Sequence, residues 1–198
     1  MKIYIGLEHY DREKEEFLVK PNPDEVWIIS DDEDDISKLY KNFFTQLNQF
    51  PLYITFQWYD YQFANGKKEL DELEFEYSHL FIPQERAIRM MPKGRSIHFD
   101  ILMFTVKITN SRQFIQLVDR FLLPDMHFIV SNQDNLTFGP LFYKEDSITF
   151  HMNETTTIGI KGHDICLISF ISNQWKDPNE LVKLFPEDIS IEIYSNED

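Results

Sequence analysis

The sequence predicts an α+β fold with a mostly antiparallel or mixed β-sheet, and three observations carry that expectation. Two segments, about 35–50 and 111–123, repeat apolar residues at the three- and four-residue spacing of a helix. Short runs rich in Ile, Val, Phe and Tyr outnumber the helical segments. Strands and helices do not alternate regularly, which argues against a wholly parallel sheet. The 198 residues fit a single domain over 1–198.

Val26-Trp27-Ile28-Ile29 reads as a strand and is followed by the acidic run Asp31 to Asp35. Ile36, Leu39, Tyr40, Phe43, Phe44 and Leu47 then fall on one helical face. Pro51 stops that helix, and Leu52 to Trp58 reads extended. Asn65-Gly66, between Leu52–Ala64 and Lys67–Ile82, carries the signature of a two-residue hairpin turn. Ile97 to Ile108 reads as one strand, with Asn110 or Ser111 capping a helix whose stripe is Phe114, Leu117, Val118, Phe121 and Leu122. Pro124 ends it, and His127 to Val130 follows as a strand. Leu136–Tyr143, Ser147–Met152, Thr155–Lys161 and Ile165–Ile171 read as an antiparallel meander.

A third strand–helix–strand unit runs from Cys166–Ile171 through a short helix, about 178–185, to Ile189–Tyr194. Asp177-Pro178-Asn179-Glu180 supplies its cap, a first-turn proline and an acid. The three units are unequally spaced and share few identities, so a generic αβ pattern explains them better than an internal repeat.

Charge narrows the partners. The chain has 34 acidic and 19 basic residues, a formal net charge of −15. The excess is negative before residue 86 and after residue 122, while the stretch between them is basic. Such a chain repels nucleic-acid phosphate and anionic lipid and attracts basic proteins. The first residues reach a charge too early for a signal-peptide core, and one cysteine cannot form an internal disulfide or a thiolate zinc site. A cytoplasmic protein with no membrane span is expected. Two alanines against 18 phenylalanines suggest an AT-rich bacterial or phage genome.

Motifs for chemistry fail one by one. Gly66-Lys67-Lys68 lacks the upstream glycine and the hydroxyl of a phosphate-binding loop. Ile36 and Asn42 occupy the places where a calcium loop starting at Asp31 needs glycine and glutamate. Cys166, followed by Leu167-Ile168, reads as a buried inert thiol. His98 and Asp100 share a strand face, and His163-Asp164 occupies a turn. Joined, those four would make a His/Asp hydrolytic site able to hold a divalent metal.

Two surfaces stand out instead. Trp58, Tyr59 and Tyr61 face Glu72, Glu74 and Glu76 across the expected hairpin, pairing rigid aromatic anchors with acids. Arg86, Arg89, Lys93 and Arg95 form a basic loop suited to an anion or an acidic segment. The reading is an acidic protein-binding module without cofactor or metal. Its most concrete form is an immunity, antitoxin or inhibitor protein that neutralises a basic partner such as a nuclease. A small hydrolase built on His98, Asp100, His163 and Asp164 is the alternative, and a structural subunit of a phage or cell-surface machine the third.

Overall fold

The computed structural model describes residues 2–10, 17–32, 35–83, 88–90, 95–97, 100–140, 147–161, 166–183, 185 and 189–195, with backbone alone at 88–90, 95–97 and 195. In chain order the first strands are β1 (Lys2–His9), β2 (Leu18–Lys20), β3 (Glu25–Asp31), β4 (Leu52–Trp58), β5 (Glu76–Ile82), β6 (Ile88–Met90) and β7 (Arg95–Ile97). Then come β8 (Ile101–Ile108), β9 (Phe128–Ser131), β10 (Leu136–Phe138), β11 (Ile148–His151), β12 (Thr157–Lys161), β13 (Ile168–Ser172) and β14 (Ser190–Ser195). The helices are α1 (Ile36–Leu47), α2 (Phe63–Glu72), α3 (Ser111–Phe121) and α4 (Pro178–Val182), with a single 3-10 turn at Asp60–Gln62 before α2.

The fold is α+β. Nine strands form one sheet in the order β14-β1-β3-β13-β12-β9-β4-β8-β5. Every neighbouring pair is antiparallel except β1–β14. Each strand–helix–strand unit returns parallel to its first strand without pairing with it. Three strands separate β3 from β4, two separate β13 from β14, and only β4 separates β8 from β9. The unequal steps show three different uses of one local pattern.

Period-two alternation gives the sheet two apolar faces. On one, Ile54, Phe56 and Trp58 of β4, Phe104 and Val106 of β8, and Phe128 of β9 join the helices in a single cluster. The stripe expected for α1 is buried there, as is that of α3 except Leu122, which follows the helix and is half-buried, and Phe44 meets Phe114 between the two helices at 5.7 Å. Asp35 caps α1 by accepting from the Lys38 N–H at 3.0 Å, and Asn110 caps α3 by accepting from Gln113 N–H at 3.0 Å. On the other face, Val26, Met103, Ile129, Ile158 and Ile160 pack with Val19, Ile148 and Phe150. Those last three belong to a small sheet, β10-β11-β2. The protein is therefore layered as helices, large sheet and small sheet.

Several expectations are corrected here. No hairpin turns at Asn65-Gly66: both residues lie inside α2, and β4 and β5 each pair with β8 instead of each other. The expected meander divides, with β10 and β11 in the small sheet and β12 and β13 in the large one. Ile97 and Ile108 belong to separate strands, because β7 pairs with β6. The expected basic loop accordingly contains a short antiparallel ribbon, in which Arg89 faces Ser96 and Arg95 faces Met90. Cys166 is exposed, since it precedes β13 instead of lying in it.

Candidate functional site

The site is built where the chain leaves β4. After Trp58 the backbone turns at Asp60–Gln62 and enters α2, which packs on Trp58 of β4, Phe104 of β8 and the helix-side residues of β5. Phe63, Gly66, Leu70 and Leu73 recur at helical spacing and face the sheet: Leu70 is fully buried, and Phe63 stacks on Phe104 with ring centroids 6.0 Å apart. That periodicity was the signal that the Asn-Gly pair obscured.

Gly66 makes the approach possible. A Cβ there would stand 2.8 Å from Trp58 Nε1 and 3.2 Å from Phe104 Cε2. We expect Gly66→Ala to destabilise the fold in urea titrations. Overpacking costs about 1–3 kcal/mol, more than the roughly 1 kcal/mol that alanine gains in a helix. A more stable variant would mean that the helix is not pressed on the sheet at this point.

The terminus of α2 turns back in a Schellman arrangement. Phe75 N–H donates to the Leu70 carbonyl at 3.1 Å and Glu74 N–H to the Asp71 carbonyl at 3.1 Å. Glu74 occupies the left-handed position, with φ of 55°, where glycine is the usual residue. Glu72, Glu74 and Glu76 are all exposed around this turn. Lys67 and Lys68 pair with Asp71 and Glu72 at 2.9 and 3.6 Å, one helical turn on. The Tyr77 hydroxyl donates to Asp71 Oδ1 at 2.7 Å and accepts from Lys67 Nζ at 2.9 Å. Those two donors, Tyr77 foremost, hold the Asp71 carboxyl below its ordinary pKa. An open groove of about 530 Å3 runs along the outer face of α2, past Phe63, Lys67, Lys68 and Asp71.

The expected aromatic anchors divide by depth. Trp58 is core: only 9% exposed, it packs on Phe121 at 5.3 Å and on Phe56 at 6.3 Å. It is corrected from an accessible anchor to a support, because strand alternation points it at the helices. Tyr59 is half-buried, and its hydroxyl donates to Asp125 Oδ2 at 3.1 Å. Burial, followed by that carboxylate, raises its phenol pKa. Tyr61 is 75% exposed and lies 5.3 Å from the Tyr59 ring. The sequence reading missed the apolar part of this surface on β5. There Leu80 is 45% and Phe81 38% exposed, and His79 and Phe81 pack on Phe63 at 4.7 and 5.4 Å.

Lys161 anchors the surface from behind. It is fully buried, and its ammonium donates to the Pro124 carbonyl at 2.6 Å and the Met126 carbonyl at 2.9 Å. Those carbonyls flank Asp125, so the buried cation fixes the segment to which Tyr59 is bonded.

The remaining candidates are not brought together by described residues. Asp100 is exposed just before β8, while His98, His163 and Asp164 lie outside the described residues. Among the described residues, no group of three or more His, Cys, Asp or Glu is placed to hold a metal ion. Arg86 and Lys93 also lie outside the described residues, and Arg89 and Arg95 are described in backbone alone. The described acids of the run have ordinary employment: Asp35 caps α1, Asp32 accepts from Lys2 N–H at 2.7 Å, and Asp31 accepts from Asp35 N–H at 3.3 Å. No described helix is long and apolar enough to cross a membrane. The chain matches no protein-family model, no curated protein and no solved structure.

Proposed function

We propose that this chain is an acidic protein-binding module that recognises a basic protein through the α2–β5 end of its sheet. Its most concrete form is a cytoplasmic immunity, antitoxin or inhibitor protein that covers a basic partner such as a nuclease. The observation that carries this reading is the exposed Tyr61, 5.3 Å from Tyr59 before the start of α2, together with Glu72, Glu74 and Glu76 exposed around the far end of the same helix. Aromatic groups with few rotatable bonds supply contact area, and the carboxylates steer a basic partner toward it.

Glu74 sharpens the case. A non-glycine residue in the left-handed region costs roughly 1–2 kcal/mol, and the turn it makes would be satisfied by glycine. A glutamate kept there at the expense of stability supports a use for its charge outside the fold. We expect Glu74→Gly to be more stable than the parent by about 1 kcal/mol, yet slower to associate with the basic partner. Thermal melts and stopped-flow association at low and physiological salt measure both. Association should slow with salt, and the variant should lose part of that dependence. Salt-independent association, or a Glu74→Gly variant that associates as fast as the parent, contradicts the assignment.

A further inference from the structure

We propose that β5 receives an extended segment of the basic partner by strand addition, so that the partner's backbone continues the large sheet. The inference rests on the reading that the α2–β5 end is the recognition surface, and it specifies how that surface binds.

β5 is the last strand of the sheet, bonded to β8 along its whole length, and no described strand pairs with its outer edge. Proteins usually blunt such an edge by shortening it, kinking it or placing charges along it. β5 has seven residues, and the only carboxylate within it is Glu76 at its start. Its second half is apolar on both faces. Leu80 is opposite Met103, on the side away from the helices, and Phe81 packs on Phe63, on the helix side. Both are exposed. The opposite edge differs, since β14 presents Glu192, paired with Lys2 of β1.

Charge selects the occupant. Glu72, Glu74 and Glu76 surround the start of β5, while Leu80 and Phe81 mark its other half. An antiparallel strand would therefore place its N-terminal half beside Leu80 and Phe81 and its C-terminal half beside the acids. The fitting segment is apolar first and lysine- or arginine-bearing second. A second copy of this chain fits poorly, because two molecules of net charge −15 repel.

The test uses the full chain and a synthetic peptide with Val–Thr alternation in its N-terminal half and Lys–Val alternation in its C-terminal half. A control carries the same sequence with alternate amides N-methylated. Strand addition predicts that the outward amides of β5 exchange at least about tenfold more slowly with bound peptide. The methylated peptide should bind at least about tenfold more weakly, because its backbone cannot complete the ladder. Leu80→Lys, a change at an exposed position, should weaken the unmodified peptide similarly. Equal binding of the two peptides, or self-association of the free chain through β5, overturns strand addition. If both bind alike and NMR shifts move at Tyr61, Glu72 and Glu74, the surface reading stands while its mode falls. If no resonance of the α2–β5 end moves, both fall.

Discussion

Replacing Trp58 by alanine is expected to remove about 3–5 kcal/mol of stability, whereas Tyr61→Ala should change it by less than about 0.5 kcal/mol. The two residues are close in sequence and opposite in role. Trp58 fills the space between Phe56, Phe121 and Gly66, so its loss leaves a cavity beneath α2. Tyr61 leaves little unfilled, being 75% exposed. Binding should separate them the other way. A Tyr61→Ala protein that melts like the parent should release its partner faster, as truncation of an interface aromatic does. Urea titrations and dissociation rates, read together, distinguish a scaffold residue from a contact residue. Comparable destabilisation by both substitutions would contradict the division of the aromatics by depth.

Lys161→Met should also be strongly damaging, since it leaves two buried carbonyls unsatisfied at about 1–3 kcal/mol each. Methionine matches the stem of lysine but donates nothing, so the Pro124 and Met126 carbonyls lose their 2.6 and 2.9 Å partner without gaining water. The effect should spread. With the 124–126 segment released, Asp125 no longer fixes Tyr59, and the Tyr59 phenol should return toward its ordinary pKa. Urea denaturation gives the first quantity and an ultraviolet titration of the tyrosines the second. A loss below about 1 kcal/mol would mean that the carbonyls are satisfied without the lysine.

Much of the framework was legible because helical periodicity is a strong local signal. Ile36 to Leu47 and Phe114 to Phe121 form the expected helices, and Asp35, Asn110 and Asp177 each cap one. The error at Asn65-Gly66 has a definite cause. The dipeptide suits a type I′ turn, but Gly66 was required for a different reason, the close approach of α2 to Trp58. Local turn chemistry lost to a tertiary contact that no nearby residue announces. Taking 67–82 as one strand also hid the edge, because Phe63, Leu80 and Phe81 become a surface only after β5 pairs with β8 and α2 folds back over both. The division of the meander was equally hidden. β11 and β12 have similar compositions, and their separate sheets follow from long-range pairing of β11 with β2 and of β12 with β9. The acids at 72, 74 and 76, expected on one strand face, lie instead at a helix end, a turn and a strand start.

A hydrogen-exchange footprint decides whether the α2–β5 end carries recognition. A basic protein recovered with the native chain should be returned to the purified full-length protein, and amide exchange compared with and without it. Exchange is expected to slow at Tyr59 to Phe63 and Glu72 to Ile82, with the small sheet β10-β11-β2 and the β14 edge unchanged. Protection confined to the small sheet or to β14, with the α2–β5 end exchanging as in the free protein, would contradict it.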